Sequence, residues 1–307
     1  MSTIQLDWES PEEAAWRKAF ARMPRSTVFQ CWSWGAAVAA MGDATVRRAD
    51  ILKNGRPVGL VQVFEERRLG LFTLGKVLRG PLFHQPVMPE DRIAALVQLS
   101  RQYPLRRLKR FSVLPELPDG PAARGLLRDA GFHAAFGPYE TAWLDLTKPT
   151  GEIRANLRQN FRNQLVKAET ADIRVTEPDD PRPLLAHYET QKHAVGYAAP
   201  EGALIAALPD RDLFSLEARL DGRDEPVAAV LFILHGRSAT YQVGWTSDRG
   251  RAAHAHNLLL WRAISMLADK GIRDLDLGGF DWTHAAGVAH FKAGLGGEPF
   301  ILPGTYV

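Results

Sequence analysis

The residues best suited to chemistry crowd toward the end of the chain. Ala289–Pro299 reads AHFKAGLGGEP, with Lys292 directly behind Phe291 and ahead of three glycines, in a region otherwise short of positive charge. When an amine adds to an ester or thioester, negative charge gathers on the carbonyl oxygen. A fixed donor there is worth roughly 3–4 kcal/mol, judged by its removal. A lysine braced by Phe291, beside glycines that let backbone approach closely, can supply it. The alternative is a surface lysine on a strand end, its stem snorkelling over Phe291.

Further candidates lie just upstream. Ile272–Gly279, IRDLDLGG, is strand-like, with Asp274 and Asp276 on the same face. Asp276 can accept a proton from an incoming ammonium, or it can simply hold Lys292 and the loop. Asp281 is a third carboxylate. Tyr241, Trp245, Trp282 and Tyr197 are candidates for lining an acceptor pocket, although buried aromatics often only pack. His254 and His256 are two apart, which does not share a helix face, and no carboxylate or thiol partner is near. They are read as polar residues at a helix start, and no metal site is expected.

The elements that must hold these residues repeat. Ile51–Phe64, ILKNGRPVGLVQVF, and Ala218–Ile233, ARLDGRDEPVAAVLFI, each place an Asn-Gly or Asp-Gly turn before an apolar β-rich strand, which is a hairpin signal. Arg124–Phe132 and Trp261–Ile272 both predict a helix closed by glycine, with a strand to follow. The recurrence suggests a duplicated domain, with the boundary in Thr147–Gly151, TKPTG: residues 1–147 and then 148–307. Each half is mixed α/β or α+β, roughly 150 residues long. Between them, Gly151–Asp172 predicts one amphipathic helix. Ile153, Leu157, Phe161, Leu165 and Ala168 form its apolar face, with Arg154, Arg158 and Arg162 as a stripe alongside.

Composition bounds what such a protein can be. With 307 residues, 46% hydrophobic and 24% charged, the chain is an ordinary folded protein. Its one cysteine, Cys31, forms no internal disulfide and suits a reducing cytosol. The acidic start has no signal-peptide core and no long apolar run follows. The expectation is a soluble, cytoplasmic protein without stable membrane insertion. A net charge of +3 is a weak argument for nucleic acid, so distribution matters more, and DNA is not an expected partner.

Several segments together resemble the Fem-type aminoacyltransferases. These are Gln30–Gly35 (QCWSWG), Leu78–Leu82 (LRGPL), the basic helix LRQNFRNQLVKAE, Tyr241–Trp245 (YQVGW), IRDLDLGG, and Phe291–Gly297 (FKAGLGG). The resemblance runs the length of the chain. It implies two tandem GNAT-like domains and amide formation by attack of an amine on an activated acyl carbon, with aminoacyl-tRNA as donor and no cofactor. By the same resemblance Phe291 forms a wall of the donor site, Lys292 faces donor phosphate or the oxyanion, and Asp276 takes the family's Asp-x-Gly-Gly position.

Departures from the family pattern narrow the substrate. Val38 stands where members acting on peptidoglycan precursors carry a phosphate-gripping lysine, and Lys192–Pro200, KHAVGYAAP, replaces a second clamp. The expected acceptor is therefore an amine on a small molecule or peptide, rather than a lipid- or UDP-linked muropeptide. In Ser247–Asn257, SDRGRAAHAHN, only Gly250 remains of the paired glycines with which CoA-using GNAT domains cradle pyrophosphate. Arg158, Arg162, Arg249 and Arg251 would instead suit a tRNA acceptor stem. Two rivals remain: an acyl-CoA-dependent N-acyltransferase, and a non-catalytic RNA- or partner-binding relic of the fold.

Overall fold

The computed structural model describes residues 3–8, 11–68, 71–195, 200–222 and 224–307. The chain divides into two compact units, Met1–Glu140 with Phe300–Val307, and Thr141–Pro299.

The strands of the first unit are β1 (Ile4–Asp7), β2 (Thr45–Lys53), β3 (Arg56–Arg68), β4 (Phe72–Leu78), β5 (Leu82–Phe83), β6 (Lys109–Leu114) and β7 (Ala134–Phe136). The second sheet is built from β8 (Tyr139–Asp145), β9 (Ile173–Thr176), β10 (Leu213–Leu220), β11 (Ala228–His235), β12 (Ser238–Thr246), β13 (Asp274–Asp276) and β14 (Glu298–Leu302). A last strand, β15 (Thr305–Tyr306), lies in the first sheet between β6 and β7. Among the described residues the first sheet runs β1-β2-β3-β4-β6-β15-β7, with β5 beside β3. The second runs β14-β8-β13-β12-β11-β10-β9.

The repeat expected from the hairpins is visible as topology. In the first unit β2, β3 and β4 form an antiparallel meander, and β6 then joins β4 in parallel. In the second, β10, β11 and β12 do the same and β13 joins β12 in parallel. A parallel neighbour needs a crossover, and here a helix supplies each one: Pro89–Ser100 and Ala255–Asp269. Asn54 and Gly55 both have positive φ, 52° and 74°, as a tight hairpin turn between β2 and β3 requires. Gly131 and Gly271, at φ 88° and 84°, close the two predicted helices. Each unit has its own core. That of the second gathers Phe214, Phe232, Leu259 and Leu267 between sheet and helices, and that of the first Ile51, Val63, Leu96 and Leu127.

Two local expectations are corrected. Gly151–Asp172 is two helices, Thr150–Asn156 and Gln159–Thr170, because Leu157 and Arg158 turn extended, with ψ 135° and 147°. Instead of continuing a helix, the Arg158 N–H donates to the Gly294 carbonyl at 2.9 Å. The apolar face is buried as expected, but the arginines no longer make one stripe. The second correction concerns Lys292, which lies in the helix Ala286–Ala293 and not on a strand end.

Candidate functional site

The two parallel pairs differ in length, and that difference makes room for a site. β4 and β6 stay in register from Thr73↔Lys109 to Leu78↔Leu114. β12 and β13 pair over only three positions, ending at Thr240↔Asp276. One residue further along β12, at Tyr241, the register with β11 slips so that Gln242 becomes an extra residue.

Asp276, at the end of β13, is almost wholly buried. Its carboxylate accepts from Thr141 Oγ1 at 2.5 Å and from the Gly278 N–H at 2.9 Å. Gly278 then turns the chain with φ 71°, which brings the Gly279 carbonyl round to accept from Lys292 Nζ at 3.1 Å. The same Nζ stands 5.6 Å from the Tyr241 ring centre and 6.0 Å from that of Phe280. Lys292 as a residue is only half-buried, yet its ammonium is drawn among rings and backbone. Burial there lowers its pKa to about 8, against the opposing pull of the Asp276 charge.

The glycines after Lys292 serve packing within the unit. A Cβ on Gly294 would lie 3.0 Å from Phe161, and one on Gly296, at φ 71°, would lie 2.0 Å from the Asn156 carbonyl oxygen. The loop can therefore press onto the junction of the two helices only as glycine. In this structure the close backbone approach expected of those glycines is to the chain itself.

His256 corrects the reading of the histidine pair. Its Nε2 lies 2.7 Å from the Tyr241 hydroxyl, and its ring meets Phe291 edge-on at 5.0 Å. Phe291 in turn packs on Phe161 at 5.4 Å. Burial pushes the imidazole pKa down to about 4, so it is neutral at ordinary pH. The signal was present in the sequence: His256 precedes Leu260, Ala263 and Leu267 by four, seven and eleven residues, on the stripe that the helix buries. Gly244 belongs to the same arrangement, since a Cβ there would fall 1.9 Å from the Tyr241 hydroxyl and 2.6 Å from the His256 ring. His254, by contrast, sits at the helix N-cap with φ 52°.

Lys292, Asp276, Tyr241 and Phe291 thus converge. Trp282, 40% exposed, joins at the margin through edge contacts with Phe280 at 5.7 Å and His290 at 5.1 Å. Trp245 and Arg249 instead line an open groove of about 920 Å³ with His187, Asp224, Glu225 and Asp248. Trp245 stacks there on His187 at 4.2 Å. Arg251 is tied to Asp248 and to the Thr246 carbonyl. In the basic helices, Arg154 forms a two-pronged pair with Glu169, and Arg162 donates to the Leu157 carbonyl at 3.2 Å, leaving Arg158 exposed. Tyr197 lies outside the described residues.

The segment after β12 differs from an open phosphate cradle. It forms a one-turn helix, Asp248–Ala252, capped by Ser247, whose hydroxyl accepts from the Gly250 N–H at 3.1 Å. The Arg251 N–H donates to the Ser247 carbonyl at 2.9 Å. Gly250 is pressed against Val227, where a Cβ would lie 2.2 Å from the carbonyl oxygen.

Comparison with known proteins agrees with this architecture. Residues 155–294 match the family described as "Acetyltransferase (GNAT) domain". Among solved structures, the chain is similar to FemX, at TM-score 0.77 and 14% identity, covering 100% of this chain and 96% of that one. It is also similar to the C-terminal domain of a putative lysylphosphatidylglycerol synthetase from Agrobacterium fabrum (TM-score 0.57, 16% identity, 96% and 92% covered). A tandem GNAT protein from the clavulanic acid biosynthesis pathway gives TM-score 0.54 at 14% identity, with 100% and 98% covered. No curated protein matches the sequence. No described helix is long and apolar enough to cross a membrane. The chain has the fold of these tandem GNAT proteins, and most of its second unit matches the acetyltransferase (GNAT) domain family.

Proposed function

We propose that the protein transfers an aminoacyl group from aminoacyl-tRNA to an amine on a small molecule or peptide. The observation that carries this reading is the segment 247–252. The Ser247 amide is taken by the Val227 carbonyl and the Gly250 and Arg251 amides by Ser247, and the groove beside them carries Asp224, Glu225 and Asp248 alongside Arg249. A pyrophosphate needs free amides and positive charge, so this segment favours an ester donor over acyl-CoA. Val38, in place of a lysine, favours an acceptor without a diphosphate.

In this reading the acceptor nitrogen attacks the ester carbonyl between Lys292 and Tyr241. Lys292 donates one N–H to the Gly279 carbonyl and keeps two further N–H donors for the developing oxyanion. As the C–O bond breaks, the ribose oxygen leaves with a proton and the new amide nitrogen gives one up. Asp276 positions the Gly278 turn and keeps Lys292 more basic than burial alone would. Phe291 and Trp282 supply apolar walls, while Arg158 and Arg162 take donor phosphates. Trp245 and Arg249 line the neighbouring groove, where Arg251 pairs with Asp248, and Tyr197 is proposed as an acceptor contact.

The test is to incubate the protein with mixed charged tRNA and a panel of acyl-CoAs in the presence of amine acceptors. Consumption of charged tRNA alone supports the reading, and consumption of an acyl-CoA alone replaces it.

A further inference from the structure

The first unit carries a feature that acyl transfer does not use. β4 and β6 begin side by side, with the Thr73 N–H donating to the Leu108 carbonyl at 3.0 Å. Leu71 and Phe72 at the start of β4 and the short helical turn Leu105–Arg107 before β6 therefore occupy the same end of the sheet. Four large apolar side chains stand in solvent there: Leu71 is 69% exposed, Leu105 61%, and Leu108 and Phe72 lesser fractions. Isolated exposed leucines are ordinary, but four at one sheet end are not.

Among the described residues, the exposed charges beside them on β3, on β6 and in the turn before β6 have one sign. Arg67, Arg101, Arg107 and Arg110 are all exposed. The carboxylates of β3, Glu65 and Glu66, are taken up by Arg47, Tyr103 and Lys76.

We propose that this end of the first sheet docks the protein peripherally on an anionic lipid surface. Leu71, Phe72, Leu105 and Leu108 enter the boundary between headgroups and acyl chains, and Arg107 and Arg110 meet lipid phosphates. The observations favour lipid over RNA because three of the four apolar groups are leucines, which offer a base no stacking face. Aliphatic side chains rimmed by cations are what an anionic interface accepts. A peripheral contact needs no membrane-crossing helix.

The test is co-sedimentation of the full chain with vesicles of phosphatidylcholine, alone or mixed with phosphatidylglycerol, at low and at physiological salt. Binding should require the anionic lipid and weaken with salt. The pair Leu71→Glu and Leu105→Glu should lower it at least tenfold with an unchanged melting temperature, because both sites are solvent-exposed. The pair Arg107→Ser and Arg110→Ser should lower it roughly tenfold as well. Absence of binding to anionic vesicles, or binding indifferent to the leucine pair, overturns the proposal. Uncharged tRNA serves as a competing probe: if it binds through the arginines while the leucine pair has no effect on either ligand, the surface is for RNA.

Discussion

Tyr241 and His256 share a 2.7 Å hydrogen bond across the space left by the missing side chain of Gly244. The bond links β12 to the crossover helix beside Lys292. A methyl at position 244 would overlap the Tyr241 hydroxyl. Gly244→Ala should therefore cost about 1–3 kcal/mol in chemical denaturation, as overpacking does, and lower turnover together with it. In a Tyr241→Phe background the same change should cost less, because the closest clash is gone. Equal costs in both backgrounds would show that Gly244 is not there to admit the pair.

The buried imidazole also sets a pH dependence of stability. The folded pKa of His256 is about 4 against an ordinary 6.5, so between those values the unfolded chain binds the proton and the folded one does not. Stability that is full above about pH 6.5 should then fall as pH drops toward 4. His256→Gln, which keeps a polar partner for Tyr241, should flatten that part of the melting-temperature profile. A profile as steep as that of the unmutated protein would place the acid sensitivity elsewhere.

Much of this fold was legible in the sequence because its signals are local. Asn54-Gly55, Gly131 and Gly271 sit where turns and caps demand positive φ, and the apolar residues of 151–172 predicted their own burial. The break at Leu157-Arg158 was not legible, since its cause is the Gly294–Gly297 loop more than 130 residues later. Lys292 was singled out by its setting in FKAGLGG, yet its helix was missed because glycines on one side disguised a regular turn on the other. His256 was missed because a polar residue on an apolar stripe looks like a helix start until its partner, Tyr241, is known. The arginines read as a phosphate stripe are divided by long-range pairs such as Arg154–Glu169, which spacing alone does not reveal.

The bonded amides of Ser247, Gly250 and Arg251 bear on the donor. CoA and acetyl-CoA should bind no more tightly than about millimolar in calorimetric titration, equivalent to roughly −4 kcal/mol. Charged tRNA should bind more tightly, with a salt dependence that becomes shallower in Arg158→Ser. Micromolar CoA binding would give the acyl-CoA reading first place.

Lys292 separates catalysis from packing. Its ammonium loses hydration in the fold, with a pKa of about 8 against an ordinary 10.5. The unfolded chain therefore holds that proton more tightly, and below about pH 8 the group weakens the fold, an effect relieved as pH rises toward 10.5. Lys292→Met keeps the apolar stem and removes the charge, so the melting temperature at pH 7 should stay level or rise. Turnover should fall roughly 10²–10³-fold, as for loss of an oxyanion donor. The unmutated enzyme should show a rate that climbs with pH as the acceptor amine loses its proton, then declines through about 8 as Lys292 loses its own. The methionine variant should retain the climb and lack that decline. If the lysine instead grips donor phosphate, the loss should appear in donor KM and shrink at low salt. Turnover and KM within about threefold of the unmutated enzyme, the behaviour of an ordinary surface substitution, would remove Lys292 from the chemistry.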